Sequence, residues 1–271
     1  MRAKRRAGVR GARVFSFPDG IETLPAVLAS RLGGRLRVAT PVAGAFREGQ
    51  GWRLELEAHG GEPAGPFATL LCTAPAHRLG ALRFRVPDGA PLRALGKLPY
   101  APVTVVALGF RRQDVGHSLD GFGMLVPEVE GFQVLGTLFS SSLFPGRAPD
   151  GHVLLTTFVG GVRAPHVAQA DDETVLALVR RDLEHLLGTH GTPVFQRLVR
   201  WTHAIPQYTR QHAGIRAAIE ALEAANPGLY LAGNYRGGIS LGDTMRGSLE
   251  AAGRIAETLV IRGATASPDP V

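Results

Sequence analysis

A glycine-rich turn close to the carboxyl end of the chain is the segment whose residue types and spacing best suit binding chemistry. The apolar residues 229–232 predict a short buried strand, and the sequence GNYRGGISLG follows at residues 233–242. Glycines allow a backbone to approach a ligand closely or to take positive φ angles. Ser240 with Asp243 three residues later predicts a capped helix start, where unpaired N–H groups attract an electron-rich ligand edge. The turn is therefore a candidate cofactor site, although its spacing fits an ordinary strand-to-helix connection equally well.

The spacing of apolar residues along the chain predicts the helices and strands that would position this turn. Apolar residues recur at helical spacing through residues 241–259 and predict a long helix after the turn. Nearer the amino end, the pattern predicts a helix at residues 22–32 and strands at residues 36–39, 52–58 and 67–73. We expect these segments to belong to the same unit as the turn.

A second group of segments predicts a mostly antiparallel sheet. Four strands are separated by glycine, proline and charged turns, at residues 103–110, 122–126, 132–138 and 153–159. A helix at residues 171–187, which opens on acidic residues and ends at Gly188, is predicted to cover one face of this sheet. A strand at residues 194–203 and a helix at residues 208–225 then lead back to the buried strand before the turn.

Composition and charge favour a globular protein that does not bind nucleic acid. Of the 271 residues, 45% are hydrophobic and 20% are charged, which suffices to bury a core or two. The formal net charge of +7 comes mostly from arginines scattered along the chain, as on a solvated surface. A basic N-terminal arm, residues 1–12, would suit an anionic membrane surface. The arm equally fits translation from an early start codon, which we favour.

Cysteine and histidine usage predicts neither a disulfide nor a metal site. Cys72 is the single cysteine, and its apolar neighbours favour a small buried core residue over a reactive thiol. The nine histidines form no metal-ligand spacing. We find no apolar run near the roughly 18 residues of a spanning helix and no signal peptide, which predicts a cytoplasmic location.

Several segments in a fixed order resemble the flavin-dependent protoporphyrinogen oxidases, members of the flavin amine oxidase superfamily. The turn and its helix resemble the carboxyl end of that family, and the resemblance extends over nearly all of residues 13–262. The other matching segments are FSFPDGIETLP at residues 15–25, LPYAPVTVVALGF at 98–110, GFGMLVP at 121–127, LGTLFSSSLFPGRAP at 135–149, LLTTFVGG at 154–161 and WTHAIPQY at 201–208.

The resemblance implies an α/β (α+β) fold, in which the C-terminal part of a FAD-binding Rossmann-like domain carries an inserted, mostly antiparallel β-sheet substrate domain. It predicts FAD-domain portions at residues 13–95 and 201–264, the substrate-binding sheet domain at 96–200, and a tail at 265–271. Members of this family begin with a G-x-G-x-x-G motif for the FAD pyrophosphate, and this sequence has none. We therefore expect the chain to be a fragment or one part of a split protein, inactive alone, whose partner is a missing N-terminal half or a second copy.

The resemblance also assigns residues to the cofactor and the substrate. Those matching the family's FAD contacts are Val42, Trp201, Asn234, Gly238, Ile239, Ser240 and Leu241. Those matching the substrate pocket are Phe122, Gly123, Leu125, Phe158 and Ile205. By residue type alone, an ordinary core position is the favoured explanation for Val42, Leu241, Phe122 and Phe158. A buried core position is also an alternative for Trp201.

The implied activity is the FAD-dependent oxidation of protoporphyrinogen IX to protoporphyrin IX in haem biosynthesis, with molecular oxygen as electron acceptor. The chemistry would belong to the flavin, and no catalytic side chain is predicted in this chain. The alternatives are a coproporphyrinogen III oxidase, another flavin amine oxidase or carotenoid desaturase relative, and a non-catalytic remnant that binds a tetrapyrrole or a partner chain. Weak peripheral contact with the inner face of the membrane is a further expectation.

Overall fold

The computed structural model describes residues 14–57, 63–86 and 90–265. The predicted N-terminal arm and nearly all of the predicted tail lie outside these residues. The strands are β1 Val42–Glu48, β2 Gly51–Leu56, β3 Ala64–Phe67, β4 Leu70–Cys72, β5 Arg83–Arg85, β6 Tyr100–Arg111, β7 Gly123–Leu125, β8 Val134–Phe139, β9 His152–Gly160, β10 Phe195–Pro206 and β11 Leu229–Leu231. The helices are α1 Thr23–Leu32, α2 Ala76–Leu79, α3 Ala90–Leu95, α4 Ser140–Leu143, α5 Pro165–Gln169, α6 Asp172–Leu187, α7 His212–Ala225 and α8 Leu241–Thr265.

The predicted antiparallel sheet is confirmed. It has five strands in the order β10-β6-β9-β8-β7, and every neighbouring pair is antiparallel. Alternate residues of β6 and β9 point to one face, where they meet the buried stripe of α6. The residues packed there include Val106, Leu108, Leu155, Val159, Val175, Val179 and Leu183. Helix α6 therefore covers one face of the sheet.

Helix α6 begins and ends as its sequence predicts. The Oδ1 of Asp171 accepts a hydrogen bond from the Thr174 N–H at 2.8 Å, and Gly188 takes the left-handed conformation after the last turn. Inside the helix, Asp182 is only 1% exposed. Its Oδ2 accepts the N–H groups of Gln133 at 2.7 Å and Val134 at 3.2 Å, so this carboxylate fastens α6 to the start of β8.

Two buried threonine hydroxyls pair with each other inside the sheet, Thr137 of β8 with Thr157 of β9, at 3.0 Å. We expect Thr157→Val to lower the free energy of unfolding by about 1–2 kcal/mol, because it leaves the Thr137 hydroxyl buried without its partner. Replacing both threonines with valine should cost less than the sum of the single changes, since no hydroxyl is then left unpaired. Urea unfolding of the wild type, both single variants and the double variant measures this, and strictly additive costs would contradict it.

The remaining strands form two smaller sheets around a second core. β3, β2, β1 and β5 form a four-stranded sheet in that order, and β11 pairs with β4 in a parallel two-stranded sheet. In the parallel pair Leu231 lies opposite Cys72, and Trp52 and Tyr235 are fully buried in the core beneath. Cys72 is partly buried against this core, and burial raises the pKa of its thiol, as expected of a structural cysteine.

Two strand predictions are wrong. Residues 36–39 form no strand, because they are exposed and Ala39 takes a positive φ of 51°, which breaks an extended run before β1 begins at Val42. Residues 67–73 do not form one strand either. They divide between β3 and β4, which belong to different sheets. The strand predicted at residues 52–58 is β2, and residue 58 lies outside the described residues.

Strand β10 is longer than predicted and continues past residue 200. It pairs with β6 from Phe195 opposite Gly109 to Pro206 opposite Tyr100, with an irregularity between Trp201 and Ile205. The predicted boundary between residues 200 and 201 therefore falls inside a strand. The other proposed domain limits remain predictions.

Candidate functional site

The glycine-rich turn leaves the carboxyl end of β11 and leads into α8. Gly233 and Gly238 have φ angles of 155° and 141°, which side-chain-bearing residues rarely adopt. A Cβ at Gly233 would lie 2.6 Å from the Tyr235 ring, and a Cβ at Gly238 would lie 2.5 Å from Asp243. Glycine is thus required by the geometry of the turn itself at both positions.

Ser240 caps α8 as its spacing with Asp243 predicts. The Ser240 Oγ accepts the Asp243 N–H at 3.0 Å and donates to the Asp243 Oδ2 at 2.6 Å. The hydrogen bond from Ser240, with the charge of Arg246, lowers the pKa of the Asp243 carboxyl. Within residues 14–57, 63–86 and 90–265, the N–H groups of Ile239, Ser240, Leu241 and Gly242 have no protein acceptor. Four successive donors at the positive end of a helix are therefore available to an electron-rich group.

A cleft of about 480 Å³ lies beside the turn, between α7 and the first turns of α8. Gly233, Gly237, Thr244 and Gly247 line it together with Arg236 and Arg254. The lining also carries Arg216, Arg246, Glu220, Asp243 and Glu250, so charges of both signs face the cleft.

A buried carboxylate holds the turn against α7 and α8. Glu223 of α7 is 8% exposed, and its Oε1 accepts the Leu231 N–H at 2.8 Å. Its Oε2 accepts Arg236 of the turn at 3.0 Å and Arg254 of α8 at 2.8 Å. Arg236 in turn donates to the Leu231 carbonyl at 2.7 Å. One carboxylate therefore links β11, the turn and α8.

Tyr208 and His212 attach the turn from its other side. The Tyr208 hydroxyl donates to the Asn234 carbonyl at 2.6 Å and accepts the Gly238 N–H at 3.0 Å. His212 stacks on the Tyr208 ring at 3.7 Å, and its Nε2 lies 2.8 Å from the Tyr235 carbonyl. Sequence reasoning did not select either residue as a site residue. The signal available was the IPQY segment that ends at Tyr208, within the resemblance.

The predicted FAD residues fall into three places. Asn234, Gly238, Ile239, Ser240 and Leu241 lie together in the turn and at the start of α8. Trp201 lies on β10 and is 57% exposed. Val42 begins β1, in a separate sheet from β11.

Four of the predicted pocket and cofactor residues share the face of the antiparallel sheet opposite α6. Directly paired residues of antiparallel strands point to the same face. One row of such pairs runs through Val199, Val105, Phe158, Gly136 and Leu125. Trp201 pairs with Val103 and Ile205 with Ala101, which lie on the same side of β6 as Val105. Leu125 is 89% exposed, so this face presents apolar side chains at the surface.

The two remaining substrate candidates are placed differently. Phe122 directly precedes β7 and is 51% exposed, whereas Met124 of β7 packs against the α6 core. The role of Phe122 in the pocket stays a prediction. A Cβ at Gly123 would lie 2.2 Å from the Thr137 carbonyl oxygen, so close strand packing explains this glycine without a ligand.

The described residues contain neither a metal-binding cluster nor a membrane-spanning helix. Across the part of the chain that the structure describes, His, Cys, Asp and Glu side chains form no group of three or more that could hold a metal ion. Among the helices described, none is long and apolar enough to cross a bilayer.

Several known proteins are similar to this chain in sequence or in structure. The family model described as flavin containing amine oxidoreductase matches residues 2–260. Protoporphyrinogen oxidase 2, chloroplastic/mitochondrial, of Arabidopsis thaliana is 34% identical over 257 residues, which cover 90% of this chain and 50% of that protein. Coproporphyrinogen III oxidase of Propionibacterium freudenreichii subsp. freudenreichii is 32% identical over 189 residues, 69% of this chain and 35% of that protein.

A solved structure is also similar to this chain. The crystal structure of a proposed protoporphyrinogen oxidase from Exiguobacterium sp. 255-15 matches with a TM-score of 0.74 at 26% identity, covering 89% of this chain and 52% of that one. The chain spans about half the length of the curated relatives it matches. These matches confirm the predicted α/β fold with its partial FAD-binding domain, and a flavin, FAD, as the cofactor. The chain belongs to the flavin containing amine oxidoreductase family.

Proposed function

We propose that this chain supplies the flavin-binding turn and the substrate-binding sheet of an oxygen-dependent protoporphyrinogen oxidase, which converts protoporphyrinogen IX to protoporphyrin IX. The observation that carries the proposal is the run of four unpaired N–H donors from Ile239 to Gly242, at the start of α8. Three of these residues, Ile239, Ser240 and Leu241, match the FAD contacts of the family that the sequence resembles. A bound flavin would supply the acceptor for the hydride equivalents removed from the porphyrinogen.

The residues of this chain would bind and orient the reactants. The donors after Gly238 would hold an electron-rich edge of the flavin ring, because they need no rearrangement to do so. The open sheet face with Trp201, Phe158, Leu125 and Ile205 would provide the apolar wall that a flat tetrapyrrole requires.

The remaining contacts would come from elsewhere. The FAD pyrophosphate requires a phosphate-binding motif that residues 1–271 lack. We propose that a segment equivalent to the unmatched half of the relatives supplies it, in the same polypeptide or in a second one.

Reconstitution tests this function. The chain is co-expressed with the half of the Arabidopsis thaliana relative that it does not match, and we call this combination the reconstituted pair. After addition of FAD and desalting, we expect the pair to keep its flavin absorbance and the chain alone to be colourless. Loss of flavin from both would contradict the proposal.

Substrate choice is tested with the same material. Protoporphyrinogen IX and coproporphyrinogen III are supplied separately, and porphyrin fluorescence is followed above the rate of oxidation without protein. We expect faster conversion of protoporphyrinogen IX. The relative from Propionibacterium freudenreichii supports coproporphyrinogen III as the second candidate, and a higher rate with that substrate would replace the first assignment.

A further inference from the structure

The Tyr208 hydroxyl forms hydrogen bonds with two positions of the cofactor turn, Asn234 and Gly238. It donates one hydrogen bond to the Asn234 carbonyl and accepts another from the Gly238 N–H, so a single oxygen joins two residues that are four positions apart. Both contacts have the short, polar geometry of ordinary hydrogen bonds. A turn rich in glycine has many accessible conformations. Two hydrogen bonds to one oxygen restrict the conformations of residues 234–238.

The ring of Tyr208 is itself held in place. It stacks on His212 with ring centroids 3.7 Å apart and planes 13° apart. His212 is buried, and because a carbonyl can only accept, its Nε2 carries the proton donated to Tyr235. Tyr208 therefore holds the turn at Asn234 and Gly238, and His212, the first residue of α7, holds it at Tyr235.

The hydroxyl keeps the proton that this bridge needs. Burial is the main influence that raises the pKa of the Tyr208 phenol, and the Asp243 charge adds to it against the hydrogen bond from Gly238. The phenol is therefore neutral around pH 7 and donates to Asn234.

Tyr208 also lies close to the end of β10 in the chain. Tyr208 follows the end of β10 at Pro206 by two residues, and β10 carries Trp201 and Ile205 on the open sheet face. The bridge thus ties the turn to the sheet that would hold the substrate. It also occupies the Gly238 N–H, so the donors left for a ligand begin at Ile239.

We propose that Tyr208, supported by His212, is a positioning residue that sets the direction of the Ile239, Ser240 and Leu241 N–H groups toward FAD and their distance from the substrate sheet. The inference rests on the proposed function for its ligand, whereas the bridge itself rests on geometry.

The first test needs no cofactor. In the full chain labelled with ¹⁵N-glycine, we expect the Gly238 amide to exchange with solvent on the order of tenfold faster in Tyr208→Phe than in the wild type, because its acceptor is lost. Tyr230→Phe is the matched control, since its hydroxyl bonds Thr258 of α8 and not the turn. Equal Gly238 exchange in the wild type and Tyr208→Phe would overturn the bridge.

The second test measures the cofactor in the reconstituted pair. We expect Tyr208→Phe to weaken FAD binding about five- to tenfold and to shift the visible absorption bands of the bound flavin, with Tyr230→Phe unchanged in both. A purely structural role would leave the band positions unmoved, and unchanged affinity and bands would overturn the positioning role while leaving the proposed function intact. If the wild-type pair binds no FAD, the proposed function and the cofactor part of this inference both fail, and the exchange result still decides the bridge.

Discussion

Gly238→Ala is expected to weaken FAD binding by the reconstituted pair by about 100-fold, because no side chain fits at this position without moving the donors that follow it. The added Cβ would lie 2.5 Å from Cβ, Cγ and Oδ2 of Asp243. Asp243 cannot simply turn away, since Ser240 and Arg246 both hold its carboxylate. The φ of 141° adds backbone strain of about 1–3 kcal/mol for a residue with a side chain.

Gly237→Ala is the matched control for this change. Gly237 precedes Gly238 directly, lacks a positive φ, and its Cβ would meet nothing within 4 Å. The variant should bind FAD within about twofold of the wild type. Flavin retention after desalting and a fluorescence titration compare the two variants. Equal affinity of both would show that the turn does not contact the cofactor in the way proposed.

Glu223→Ala is expected to lower the free energy of unfolding by about 2–4 kcal/mol, because it removes the shared partner of two arginines and a backbone N–H. The expected cost stays below that of a fully buried ion pair, since the Arg254 side chain is partly exposed and water can solvate it. Urea unfolding measures the loss. Glu220→Ala, at an exposed site one turn earlier on α7, should stay within about 0.5 kcal/mol of the wild type.

The contribution of Glu223 should also depend on pH. Burial opposes its ionisation, but hydrogen bonds from Arg236, Arg254 and the Leu231 N–H outweigh burial and lower the pKa of the carboxyl. A folded pKa below the unfolded value means that the stabilisation is present above the usual glutamate pKa of about 4.3 and is lost as pH falls through the folded value. The difference in unfolding free energy between the wild type and Glu223→Ala should therefore shrink at acidic pH. A constant difference from about pH 7 to about pH 3 would contradict this account.

The apolar stripe of α8 has the spacing typical of a buried helix face, yet its residues are exposed. Hydrophobic period predicts the helix, and the helix forms at Leu241–Thr265. The stripe does not face a core: Leu249 is 73% exposed, and Leu241 and Met245 are also exposed. The recurrence of apolar residues at helical spacing predicts an apolar helix face. Whether that face is buried depends on the elements packed next to it.

Elements specified by contacts within a few residues were determined by the sequence alone. The Asp171 cap and Gly188 bound α6, Ser240 and Asp243 start α8, and the alternation in β6 and β9 predicts a sheet with one buried face. The glycine turn is likewise recognisable, because its conformation needs residue types that only a few positions in a chain tolerate. Its membership in a flavin family followed from the order of the matching segments.

Only the tertiary structure decided how these elements are joined. Tyr208 reaches Asn234 and Gly238, and Glu223 joins Leu231 to Arg254, across 8 to 31 residues of chain that no local period describes. The division of residues 67–73 between two sheets has the same origin, because strand pairing depends on partners that are distant in sequence. Local hydrogen bonding and side-chain period belong to short segments, whereas the direction of a donor toward a ligand depends on every element packed against it. The sequence therefore determined which turn is the candidate site, and the packing of β10, α7 and α8 around that turn determined its geometry.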